Sequence, residues 1–307
     1  MTFTGRGLYA ASSKVPRGRR VGWLAAGVLL GILAVCAGLV SGISMISTHG
    51  GTERDSFSGV ATVVVENGTK GSIEVVGVGG DEVTVERSTR SPLGESADDS
   101  LRRKGGVLTV DAGCSGFRIV GGCAVDYTVK VPRGTELDLD AQDGAISVRG
   151  VEADVVADNT NGPLRLTGIE GDVRAVSVNG KVAVAGKGGT LVAESVNGGV
   201  DATGFTADDA TVGSVNGSVS LGGGFTTASV ETVTGKIRVS TGTPFKELAA
   251  KSTAGPVTLE VPDGTYRVTG ESSLGERDIA VPTSPKADSL IDVDTTAGPV
   301  RIGLADR

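Results

Sequence analysis

From residue 136 onward, apolar and polar residues alternate in short runs that restart about every eighteen residues. Nine glycines mark the restarts, Gly144, Gly162, Gly180, Gly198, Gly217, Gly235, Gly255, Gly275 and Gly298, at spacings of 18, 18, 18, 19, 18, 20, 20 and 23 residues. Two and four residues after the glycine stand pairs such as Ile146 and Val148, Leu164 and Leu166, Val182 and Val184, and Val219 and Leu221. Period-two alternation of this kind is a strand with one buried face. A second glycine at 150, 168, 186, 204 and 223 ends that strand in a turn. Before each marker lies another alternating run: Leu137 and Leu139, Val155 and Ala157, Val173 and Ala175, Leu191 and Ala193, Ala210 and Val212. Two strands and two turns in so short a unit cannot bury a core alone, so successive copies must stack. The pattern predicts an all-β β-solenoid, or β-helix, of about 18–20-residue coils over 136–307. A flattened coil with two facing sheets is favoured, and a three-sided helix is the second choice.

At the turns the alternation becomes ambiguous. Ser177, Ser195, Ser214, Thr232, Ser252, Ser272 and Thr295 form one column, and Val178, Val196, Val215 and Val233 form the next. Hydropathy predicts that the valines turn inward and that the hydroxyls bond nearby backbone, because an unpartnered buried hydroxyl is costly. The repeat turns read Asp143-Gly144, Asn161-Gly162, Asn179-Gly180, Asn197-Gly198 and Asn216-Gly217. These pairs suit a tight turn with positive φ. Stacking would also let the Asn side chains bond from coil to coil at about 4.8 Å. That turn role accounts for the glycosylation-like Asn67-Gly68-Thr69 and Asn216-Gly217-Ser218 as well.

Residues 59–135 are less regular. GVATVVVENGTKGSIEVVGVGGDEVTVE reads as strands and turns and 87–106 as a polar loop, so this region is expected to start and cap the solenoid. No corresponding cap is evident at the other end.

The N-terminal part has a different character. Between Val21 and Ser47 the chain carries no charge, which is long enough for a transmembrane helix and too long for the apolar part of a secretory signal. Arg6, Lys14, Arg17, Arg19 and Arg20 precede this stretch and Glu53, Arg54 and Asp55 follow it, so the positive-inside rule places 1–20 in the cytoplasm, 21–47 in the membrane, and the 48–58 linker with everything after it outside. Leu33-Ala34-Val35-Cys36 resembles a lipoprotein box, but Val35 is bulky for one and the apolar run continues beyond Cys36. Gly27 with Gly31 and Gly38 with Gly42 offer small-residue pairs for a weak homodimer. The net charge of −7 becomes −12 once the five basic residues before the span are set aside. An acidic exterior excludes nucleic acid as a partner and suits cations or a basic protein surface.

Candidate chemistry is sparse. Cys114 and Cys123 are expected to form a disulfide outside the cell. Zinc would need more ligands than His49, the sole histidine, can add, and no cofactor motif is present. Glu136, Asp138, Asp140 and Asp143 form the best acidic group, a weak candidate for calcium or for paired acid and base, with a solvated strand face as the simpler reading. No Ser-His-Asp arrangement can be built around His49.

The x-Val-x-Val-x-Gly sentence with its Gly-containing turn, and the approach DYTVKVPRGTELDLDAQDGAISVRG at 126–150, resemble the bacterial putative-adhesin β-strand-repeat family, a domain of unknown function, over 59–302. The resemblance implies a surface-exposed β-solenoid with no catalytic residues. The expected role is a non-catalytic adhesin or interaction scaffold binding an unknown surface protein or wall polymer. The alternatives are an envelope-stress sensor acting through a membrane partner and, remotely, a polysaccharide-active β-helix enzyme.

Overall fold

A computed structural model describes residues 49–91, 95–116 and 122–305. The basic tail, the apolar stretch and the lipoprotein-like box lie outside the described residues, and among the described ones no helix is long and apolar enough to cross a membrane. The described chain is all strand and turn.

Each coil contributes two strand positions, and coils stack in parallel register. At the first position Leu137, Val155, Val173, Leu191, Ala210, Ala228, Leu248 and Ile291 follow one another from coil to coil. At the second, Ile73, Ile146, Leu164, Val182, Val200, Val219, Ile237, Val257 and Val300 do the same. The long strands Val182–Ser195 and Val200–Ser214 carry pairing through the corner between the two positions, with Ile169, Gly186 and Phe205 in line. Branched aliphatic side chains fill one continuous core, and Phe225, Phe245 and Tyr266 stack along a corner with centroids 5.4 and 5.6 Å apart.

The stacking order departs from chain order at both ends. The coil of Thr62–Asn67 and Ile73–Val78 is the second rung, because Val107–Gly116 and Ala124–Pro132 pack on its outer side while Glu136–Ala141 and Ile146–Arg149 pack on its inner side. At the C-terminal end Ser289–Ala297 and Val300–Leu304 are penultimate, and Tyr266–Thr269, Ser272–Leu274 and Arg277–Ile279 form the outermost rung. The repeat period gives coil length and not neighbour identity, so an inserted coil leaves no mark on it.

The N-terminal end is closed by antiparallel strands, which use the backbone groups an open edge would expose. Glu82–Ser91 pairs with Ala124–Pro132, His49–Ser58 pairs with Glu82–Ser91, and Glu95–Lys104 pairs with Val107–Gly116. The expected linker at 48–58 is thus mostly strand, and the polar loop expected over 87–106 is largely two strands. Their polar composition reflects a layer facing water. Arg87, 14% exposed at its side chain, gathers Glu53, Asp55 at 2.6 Å and Asp99 at 2.8 Å, which fastens three strands of this cap. Cys114 and Cys123 are joined by a disulfide with Cα atoms 5.7 Å apart, tying the end of one cap strand to the start of the next.

Candidate functional site

The repeat turns set the geometry of the surface. Alternation continues unbroken through each first-position strand, so Leu191, Ala193 and Ser195 all point inward while Glu194 and Val196 point out. Apart from half-buried Ser272, the hydroxyl column is therefore buried and the valine column is not: Val178, Val196, Val215 and Val233 are 40–47% exposed. For the valines this reverses the expectation from hydropathy, while Ser195, Ser214 and Thr232 bond nearby backbone as expected. From Ser177 to Thr232 the physical reason is a hydrogen-bond ladder at the corner, which Ser252 and Thr295, buried without a partner, do not continue. Ser195 Oγ donates to Gly180 O at 2.9 Å, Ser214 Oγ to Gly198 O at 2.8 Å and Thr232 Oγ1 to Gly217 O at 3.0 Å. The Ser177 hydroxyl also accepts from Gly180 N at 2.8 Å, so a buried polar side chain satisfies turn backbone that valine could not. Asn159 does the same work one coil earlier, donating to Gly144 O at 2.6 Å.

The turn glycines are also chosen for another reason than the expected one. None of Gly144, Gly162, Gly180, Gly198 and Gly217 has the left-handed φ, nor does any Asn or Asp beside them. A Cβ at Gly180 would instead collide with the carbonyl of Gly162 in the coil below and lie 2.8 Å from Ser177 Oγ. Close approach of stacked backbone requires glycine there. Positive φ is found at the other turn, as at Gly168 with φ 64°, and at the later marker glycines Gly235, Gly255 and Gly298 with φ 158°, 143° and 153°.

The Asn ladder forms as read from the sequence. Asn161 Nδ2 donates to Asp143 Oδ1 at 2.7 Å, Asn179 to Asn161 at 2.7 Å, Asn197 to Asn179 at 2.8 Å and Asn216 to Asn197 at 3.0 Å. Asp143 thus terminates a structural ladder. Glu136, Asp138 and Asp140 alternate outward on Glu136–Ala141, and Thr62 Oγ1 donates to Glu136 at 3.2 Å. Among the described residues no three His, Cys, Asp or Glu side chains converge as ligands for one metal ion. The acidic group is instead part of a longer column.

From Asp140 to Lys251 the column follows chain order at the coil period, while Asp111 and Glu66 at one end and Asp294 at the other come from coils stacked out of chain order. Asp111, Glu66, Asp140 and Asp158 occupy one outward position in four successive rungs. Val176, Glu194, Gly213, Glu231, Lys251 and Asp294 continue it. Burial pushes the Asp158 carboxyl above its ordinary range and Asp140 and Asp138 push it further, while Arg174 opposes them.

Between this column and the valine ladder lies a groove of about 650 Å³ that crosses seven rungs. One wall is Val196, Val215 and Val233, continued by Thr253, Thr296 and Ser273; the other carries Glu194, Glu231, Lys251, Asp294 and Glu271; the buried hydroxyls form the floor. It offers an apolar stripe beside negative charge. Among the described residues that line it there is no histidine.

Among solved structures, this chain is similar to a putative adhesin from Parabacteroides merdae ATCC 43184, with 12% identity over 84% of this chain and 96% of that one and a TM-score of 0.44. It is similar also to one from Bacteroides fragilis NCTC 9343, with 10% identity over 83% and 97% and a TM-score of 0.40. No curated protein matches the sequence. The Toastrack DUF4097 family model matches residues 60–300, and the chain belongs to that family.

Proposed function

We propose that this chain is a membrane-anchored, extracytoplasmic β-solenoid that acts without catalysis, as an adhesin or interaction scaffold at the bacterial cell surface. The observation that carries this reading is the groove: a valine ladder left exposed along a rigid stack, beside a column of carboxylates. Monomeric surfaces leave single apolar residues in water, and a contiguous apolar row rimmed by charge marks an interaction site. The order of basic tail, uncharged stretch and acidic remainder supports a single pass with the N-terminus inside.

A photo-crosslinking amino acid at Val215, in cells producing the full-length chain, tests the reading. Discrete adducts are expected from Val215 and not from the same group at Arg238, an exposed position on the second-position strand Ile237–Ser240. Identical patterns from the two positions, or no adduct from either, would overturn the groove as the interacting face.

A further inference from the structure

The two walls of the groove have a definite period. Rungs of a parallel sheet stand about 4.8 Å apart, so the seven rungs span about 29 Å. Along the charged wall the acids Glu194, Glu231 and Asp294 occupy every second rung, with Gly213 and Lys251 between them. From Glu194 to Asp294 carboxylates therefore repeat at about 9.6 Å, and Glu271 follows on the next rung beside Asp294. On the facing wall Val196, Val215 and Val233 occupy three successive rungs, and Thr253, Thr296 and Ser273 continue the wall with hydroxyls.

Few polypeptide conformations match that spacing. An extended strand brings side chains to one side every second residue, about 6.7 Å, which falls out of step with the acids after one repeat. A polyproline II helix rises about 3.1 Å per residue with three residues per turn, so each third residue returns to the same side after about 9.3 Å. Its other two residues per turn can lie against the valines and in the notch left by Gly213, which carries no side chain. Such a helix has no internal hydrogen bonds, and the hydroxyls of Thr253, Thr296 and Ser273 are available to its carbonyls on the polar part of the wall.

We infer that the groove binds a polyproline II segment carrying a basic residue at every third position, with proline or other apolar residues between. This rests on the groove being the interacting face and names the chemistry of its partner. The outward column as a whole supports the sign of the charge, since from Asp111 to Asp294 it contains seven carboxylates and one lysine. Exposed ion pairs contribute little singly, so registry over several pairs is what would supply selectivity.

The test is fluorescence anisotropy with the detergent-solubilised full-length chain and three labelled dodecapeptides: (Pro-Pro-Arg)4, an isomer with its four arginines in one block, and (Val-Arg)6. The first is expected to bind at least tenfold more tightly than the other two, with affinity falling as salt rises. Glu194→Gln with Glu231→Gln should weaken it at least fivefold, and Val196→Thr with Val215→Thr at least threefold. All four residues are exposed, so unchanged melting curves will show the variants folded. Equal binding of the block isomer, equal binding by the glutamine variant, or preference for (Val-Arg)6 would overturn the inference. If these peptides fail while the Val215 crosslinker still forms its adducts in cells, the partner chemistry alone is wrong; if both fail, the groove is not the interacting face.

Discussion

Gly180→Ala is the sharpest probe of why the coils stack as they do. The new Cβ would be driven into the backbone carbonyl of Gly162 and to 2.8 Å from Ser177 Oγ. Neither neighbour is the free end of a flexible chain, so the rung must open or the turn must rotate. Overpacking against fixed atoms costs about 1–3 kcal/mol, and the upper end applies where the obstacle is backbone. The entropy that alanine removes from the unfolded chain offsets only about 0.4–1 kcal/mol of this. A net loss of about 2 kcal/mol should lower Tm by about 4–8 °C in a unit of this size. Gly213→Ala is the matched control, because its Cβ would meet only Glu231 O at an ordinary 3.7 Å. It should move Tm by no more than about 1 °C. Circular dichroism melts of both variants give the comparison, and hydrogen exchange locates the loss, which nearest-neighbour coupling should confine to the coils around residues 162–198. Equal Tm for the two variants, or a loss spread over the whole stack, would refute close backbone approach as the reason for the glycine column.

Three further outcomes are expected. Val182→Asp buries a charge at a fully enclosed position between Leu164 and Val200 and should render several coils protease-sensitive, whereas Lys181→Asp, which gives up only the exposed pair with Asp201 at 3.5 Å, should not. Replacing Cys114 and Cys123 by serine opens a loop of about ten residues and should cost about 2–3 kcal/mol, read from denaturant midpoints with and without reductant. Asp158 has a raised carboxyl pKa, through burial and then Asp140 and Asp138, so its ionised form weakens the fold above that pKa and the penalty fades as pH falls through it. Asp158→Asn should therefore melt higher than the parent at pH 7, and the two should converge in the acid range; a constant difference across pH would show that charge is not the cause.

Much of this architecture is legible because two elementary periods coincide. Alternation at Val182 and Val184, or at Leu191 and Ala193, specifies which face is buried, and the recurring glycine specifies where the chain turns. The Asn ladder follows from those two facts and the rung spacing. What misled was hydropathy at the corner. Alternation from Leu191 through Ala193 places Ser195 inside, yet valine is the more apolar of the two neighbours. The deciding energy is the carbonyl of Gly180, which needs a donor, and a sequence does not display an unsatisfied carbonyl. The groove was hidden for the same reason, since it exists only if Val196 and its neighbours face out. The ends of the acidic column were hidden differently. Glu66 neighbours Asp140 because its coil is inserted between those of Asp111 and Asp140, and ends assembled out of chain order have no signature in spacing. The cap strands were obscured by composition, because Glu82–Ser91 and Glu95–Lys104 carry the polar residues of a loop while pairing through their backbones.

The outward valine ladder and its occupation by a partner can be tested in one measurement. Val196→Cys and Arg238→Cys, each in a variant whose three native cysteines are serine, are labelled with an impermeant maleimide in purified protein and on intact cells. Purified, both should react fast, because both side chains are exposed. On cells, Arg238→Cys should keep its rate while Val196→Cys slows at least fivefold under the bound partner. An unreactive Val196→Cys in purified protein would contradict the corner geometry, and equal rates for it in purified protein and on cells would contradict the groove as a binding face.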